Sequence, residues 1–151
     1  MIDGPNDGEG IVRASWLGTA AFGVAAVLGA VVPAADLPAL VVSLVLFTAG
    51  TVAFFVAYAR AVVRSRTEHV AVLALFFLER DVAPRRVRRR LLGSFVVQVL
   101  VAAATAAGRP NTSLAFGILV PVYGLALAGV WGAYHGAFPR RQPRQPKGTG
   151  R

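Results

Sequence analysis

The 151-residue chain has no cysteine, one methionine and one lysine, and only 15% of its residues are charged. Without cysteine there is no disulfide framework, no thiolate metal site and no Cys nucleophile. Acidic residues are scarce too, seven in all, alongside two histidines. Soluble domains carry about 25% charged and about 45–50% apolar residues. Here 56% are apolar and the mean hydropathy is +0.61, both displaced toward a membrane protein. The length suits one domain.

What the chain does contain is four uncharged apolar runs. Trp16–Val32 has 17 residues, Leu37–Ala59 has 23, Leu91–Ala107 has 17 and Ser113–Tyr134 has 22. A helix needs roughly 17–25 such residues to cross a hydrocarbon core of about 30 Å. A soluble helical bundle would need a charged stripe on each helix, and these runs supply none. The expected fold is therefore all-α and polytopic, with four transmembrane helices over about 16–32, 37–59, 91–107 and 113–134. The first run is not expected to be a cleaved signal peptide, because Asp3, Asp7 and Glu9 precede it against a lone Arg13, the reverse of a basic leader. Residues 1–12 read as a mobile tail and 140–151 as a disordered basic tail.

Short connections pair the runs. Pro33–Asp36, with Pro38 just beyond, and Gly108–Thr112, carrying Gly-Arg-Pro-Asn, are turn signals that make each flanking pair antiparallel. Two helical hairpins follow. With four spans, one side of the bilayer holds Arg13, the nine arginines between Arg60 and Arg90, and the five basic residues from Arg140 onward; the other holds Arg109 alone. Fifteen against one predicts both termini in the cytoplasm, in a cytoplasmic membrane, because basic residues in short loops stay inside.

The loop between the hairpins contains nine consecutive apolar residues, Val70–Leu78, too few to span. They predict an interfacial helix over about 68–80, lying flat or packed across the mouth of the bundle, with a re-entrant path as the alternative. After Ala83-Pro84, the five arginines Arg85, Arg86, Arg88, Arg89 and Arg90 would ring the first turns of the third span. Such a cluster anchors the helix end and attracts anionic phospholipid headgroups. Its sharper reading is a specific anionic ligand, a headgroup or an acidic partner protein, gripped by bidentate guanidinium groups. Nucleic acid is not expected, since no aromatic residue is interleaved for base stacking.

Inside the four runs there is no Asp, Glu, Lys, Arg or His. That disfavours proton-coupled transport through a buried carboxylate. Nor is there a Ser/His pair, a carboxylate pair, HExxH or a phosphate loop, so no enzyme, cofactor or metal is expected. The runs carry packing chemistry instead: small residues at four-residue spacing, Ala21, Ala25 and Gly29 in the first and Gly124, Ala128 and Gly132 in the fourth. Pro121 predicts a kink that frees the Gly117 carbonyl. Gln98, Thr105, Ser43, Thr48 and Thr51 are the polar groups within reach, and Gln98 is expected to link helices. Trp16, Tyr58, Trp131 and Tyr134 fall near span ends, as an aromatic belt requires.

Phe76-Phe77-Leu78, Val82-Ala83-Pro84, Val87-Arg88-Arg89, Val97-Gln98, Arg109-Pro110, Ala115-Phe116-Gly117, Val120-Pro121, Trp131-Gly132-Ala133 and His135-Gly136 give residues 70–139 a pattern that resembles small four-span membrane proteins of actinobacteria. The resemblance implies location and architecture and no activity. Three functions fit the residues. One is a non-enzymatic accessory, scaffold or interaction subunit that docks another membrane protein or its own copy. Another is a small oligomeric channel or transporter subunit lined by Gln98 and threonines. The third is an interfacial lipid enzyme using His69, Glu68 or Glu79.

Overall fold

The computed structural model describes residues 8–66, 68, 71–79, 82–108 and 113–139. Among these the chain is helical. Helix α1 spans Glu9–Val31, α2 Asp36–Arg64, α3 Val72–Phe77, α4 Arg85–Gly108 and α5 Pro121–His135, with 3₁₀ segments at Pro33–Ala35 and Ser113–Leu119. Taking the second 3₁₀ segment with α5, four helices are long and apolar enough to cross a membrane, so the chain is a four-span polytopic protein. Helix α1 begins earlier than the tail boundary at residue 12 anticipates: Glu9–Val12 are helical and Val12 is buried. The cause is packing, because Val12 joins Leu91, Ala128 and Trp131 in one apolar cluster. Residues 1–7 and 140–151, the rest of the expected tails, lie outside the described residues.

Buried polar groups and an exposed aliphatic surface set the bundle apart from a water-soluble protein. Ser15, Thr19, Ser43, Ser94 and Gln98 are buried, whereas Leu17, Val24, Val31, Val52, Phe55 and Leu100 are more than half exposed. In hydrocarbon, large aliphatic side chains gain nothing by leaving the surface, and helices associate through small residues and interhelical hydrogen bonds. Ser43, Thr48, Thr51 and Thr105 each donate to a carbonyl one turn earlier, at 2.8–2.9 Å, so their hydroxyls need no partner helix.

Helix directions follow from pairings whose two members advance together along the chain. Ser15 meets Ser94 and Thr19 meets Gln98, both 79 residues apart, so α1 and α4 run parallel. Gly50 lies against Tyr123 and Arg64 reaches Ala133, so α2 and α5 also run the same way. With tight turns joining α1 to α2, this is the up-down threading of two hairpins. Helix α5 is the hub, packing on α1, α2, α3 and α4.

Helix α3 packs against the spanning helices. It is six residues long; Leu75 and Phe76 are buried against α2 and α5, and Ala74 and the following Leu78 in the cluster with Val12, Leu91 and Trp131. The Phe76 ring stacks on Phe54 of α2, centroids 4.8 Å apart, and fills the space that Gly129 leaves. The Leu75 carbonyl would stand 2.7 Å from a Cβ at Gly132. The segment is thus packed on the bundle, beside residues of the second and fourth apolar runs. Leu78 closes the helix with φ 48°, a left-handed conformation that costs a branched residue about 1–2 kcal/mol. Its fully buried side chain, in the cluster with Val12 and Leu91, offsets that strain.

Candidate functional site

The features with chemical content are a polar layer at the break in the fourth span and two arginine groups at the end of the bundle that carries the loop and termini. Pro121 makes the break, though not as a kink in one continuous helix. The chain from Ser113 to Leu119 is 3₁₀, and Pro121 occupies the first turn of a new α-helix, where its missing N–H is not needed. The Gly117 carbonyl accepts from the Val120 N–H at 3.0 Å, so the acceptor that proline would orphan is satisfied locally by an i→i+3 bond.

Just after the break, Tyr123 and Gly124 touch all three other spanning helices. The Tyr123 backbone lies against Gly50 of α2, where an added Cβ would stand 2.6 Å from Tyr123 Cα. Its ring crosses α1 at Gly18, and its hydroxyl donates to the Ala14 carbonyl at 2.8 Å. The Gly124 N–H donates to Gln98 Oε1 on α4 at 3.1 Å. Gln98 Nε2 in turn donates to Thr19 Oγ1 at 2.7 Å, and the Thr19 hydroxyl donates to the Ser15 carbonyl at 2.8 Å. One turn along, Ser94 donates to the Leu91 carbonyl at 2.8 Å, so the 2.5 Å contact between Ser15 and Ser94 has Ser15 as its donor. Gln98, Ser15 and Ser94 are 0% exposed.

The expected packing residues therefore divide. Gln98, Gly124, Ala128 and Gly132 sit in helix contacts as the spacing implies: Gly124 makes room for the Gln98 amide, Ala128 joins the cluster around Leu78, and Gly132 admits α3. In the first span Gly29 is buried, but Ala21 is exposed and Ala25 only half-buried. Both line an open apolar groove of about 520 Å³ between α1 and the start of α2, with Leu17, Leu28, Pro38 and Val42. The stripe turned inward is Ser15, Thr19, Phe22 and Ala26, because hydroxyls had α4 partners to meet and alanines had none. Gly18 and Gly50, which admit Tyr123, belong to no small-residue stripe in the sequence. Each glycine interrupts a helical run at a propensity cost near 1 kcal/mol, which was the available signal of close approach.

At the basic end, Arg64 is a structural clamp. Its Nη1 donates to the Ala133 carbonyl at 3.0 Å and Nη2 to the Gly136 carbonyl at 2.9 Å, neutralising the negative end of α5. Nη2 also pairs with Glu68 Oε2 at 2.7 Å, and the guanidinium lies 5.2 Å from the Phe138 ring centre. Glu68 is thus committed to Arg64, Glu79 is exposed, and His69 lies outside the described residues. Trp131 leaves the expected aromatic belt: it is buried, its ring stacked on His135 at 5.4 Å, while Trp16, Tyr58 and Tyr134 remain exposed.

The five arginines at the start of α4 do not form a ring. Arg85, Arg86, Arg89 and Arg90 are exposed, Arg88 is half-buried beside Val87, and Leu91 is fully buried. None of the five guanidinium groups has a hydrogen bond or ion pair among the described residues. Also among the described residues, no three His, Asp or Glu converge as a metal site. No family model, curated protein or solved structure matches this chain.

Proposed function

We propose that this protein is a non-enzymatic subunit of a cytoplasmic-membrane complex, an accessory or scaffold whose lipid-facing helices dock another membrane protein or a second copy. Both termini and the α3 loop lie in the cytoplasm on this reading, which the distribution of arginine supports.

One observation carries the choice over catalysis or transport. The polar groups that chemistry inside the membrane would need, Gln98, Thr19, Ser15 and Ser94, are buried and bonded to one another and to backbone. A carboxamide fixed at both ends holds helices in register and has little left with which to bind a solute. In-cell crosslinking of a tagged copy at native abundance, read by mass spectrometry, should recover one recurrent membrane partner or a self-crosslink. A lone, uncrosslinked monomer in cells and in mild detergent defeats the proposal.

A small oligomeric channel is the second reading, favoured by the helix break at Pro121 beside a buried amide. Flux of ions or small solutes in proteoliposomes supports it, and tight liposomes dismiss it.

A further inference from the structure

Three other arginines toward this end of the bundle have partners within the chain: Arg13 pairs with Glu9, Arg60 lies 5.0 Å from the Tyr134 ring centre, and Arg64 clamps α5. Among the described residues, Arg66 stands alone rather than in a cluster. The α4 arginines are different, and their placement works against the helix that carries them. Arg85, Arg86 and Arg88 stand in its first turn, where the macrodipole is positive, and that turn has no acidic residue. At about 100° per residue, Arg85 and Arg89 lie within about 40° of each other, as do Arg86 and Arg90, and the four cover an arc of about 140°. Leu91, fully buried, lies on the opposite side of the helix, so the arc faces outward. Each pair is an i, i+4 like-charge contact, which destabilises an isolated helix.

We propose that this arc is a binding site for a phospholipid headgroup bearing two phosphodiesters, a diphosphatidylglycerol. Two guanidinium groups four residues apart, with Cβ atoms about 5–6 Å from each other, can bracket one phosphate, each with a two-pronged N–H fork. The chain presents two such brackets side by side, Arg85 with Arg89 and Arg86 with Arg90. A headgroup holding two phosphates on one short linker fills both and loses less freedom than two separate lipids would. The bound anion would reverse both unfavourable features, the like-charge contacts and the charge at the positive helix end. Leu91–Ala107, entering the bilayer directly after the arc, sets these brackets at headgroup depth. The site rests on the membrane-spanning reading of the chain but not on its having a protein partner.

The test is native mass spectrometry of the full chain from mixed micelles. Diphosphatidylglycerol is compared with phosphatidylglycerol at twice the molar amount, so that phosphate charge is matched, and phosphatidylcholine serves as the blank. Retention of diphosphatidylglycerol should exceed that of phosphatidylglycerol about tenfold, and R85Q/R89Q should lower its apparent affinity about thirtyfold, the factor two arginine–headgroup contacts provide. R66Q, which removes an exposed arginine elsewhere, should change nothing. If R85Q/R89Q fails to insert, R85K/R89K keeps the charge and removes the forks; it should retain phosphatidylglycerol and lose the preference. Equal retention at matched charge, or a preference surviving both double variants, overturns the site. Loss of the lipid preference with crosslinks intact overturns this site alone, and lost crosslinks with the preference intact overturn the scaffold alone.

Discussion

Replacing Gly50 by Ala should separate close helix packing from helix propensity, because the same change at Gly23 provides the reference. A Cβ at Gly50 would stand 2.6 Å from Tyr123 Cα and 2.7 Å from Tyr123 N. Carbon contacts settle near 3.5–4.0 Å, so α2 and α5 must part by about 1 Å. The obstacle is backbone, which cannot swing aside, and overpacking of this kind costs about 1–3 kcal/mol. Displacing Tyr123 also weakens its bond to Ala14 and that of Gly124 to Gln98, at about 0.6 kcal/mol each in a membrane protein. Against this, Ala gains about 1 kcal/mol over Gly in a helix. A Cβ at Gly23 meets nothing within 4 Å, so G23A shows the gain alone. The two variants should differ by about 2–4 kcal/mol, G50A the weaker. SDS titration in mixed micelles, followed by tryptophan fluorescence, measures the gap. Equal midpoints for G23A and G50A would refute the account of α2–α5 contact.

Gln98→Leu keeps the volume and removes both amide bonds, so a loss of about 1–3 kcal/mol is expected in the same titration, while Thr19 keeps its bond to Ser15. Arg64→Ala should cost about 1–2 kcal/mol by uncapping α5 and freeing Glu68; hydrogen exchange should rise at residues 133–136 first. Phe76→Ala should undock α3 from Phe54 and Gly129 and expose the 71–79 segment to limited proteolysis, leaving the four spans inserted. Reporters fused after Pro139 and within 109–112 should read opposite sides of the membrane, the first cytoplasmic.

The break at Pro121 shows how far local rules reach. Proline at that position removes one helical hydrogen bond whatever surrounds it, so an interruption follows from the residue alone. Whether the interruption becomes a bend or a 3₁₀ segment followed by a fresh helix depends on what the neighbouring helices accept. Here Gly50 and Gly18 admit Tyr123, and Gln98 meets the first turn of α5. The Ala21–Ala25 stripe teaches the converse. Its spacing fits a helix contact, yet the face turned inward is the one whose hydroxyls had bonds to make across to α4.

Hydropathy and arginine placement are properties of single residues summed along the chain, and bilayer thickness converts them directly into four crossings joined as two hairpins. Those follow from the sequence by itself. Which faces meet, that α5 is the hub, that α3 packs on it, and that the arc of four α4 arginines faces outward depend on contacts between residues more than 100 positions apart in sequence. In hydrocarbon such contacts are decided by shape and by pairs of hydrogen-bonding groups, since apolarity is common to every face and so distinguishes none of them.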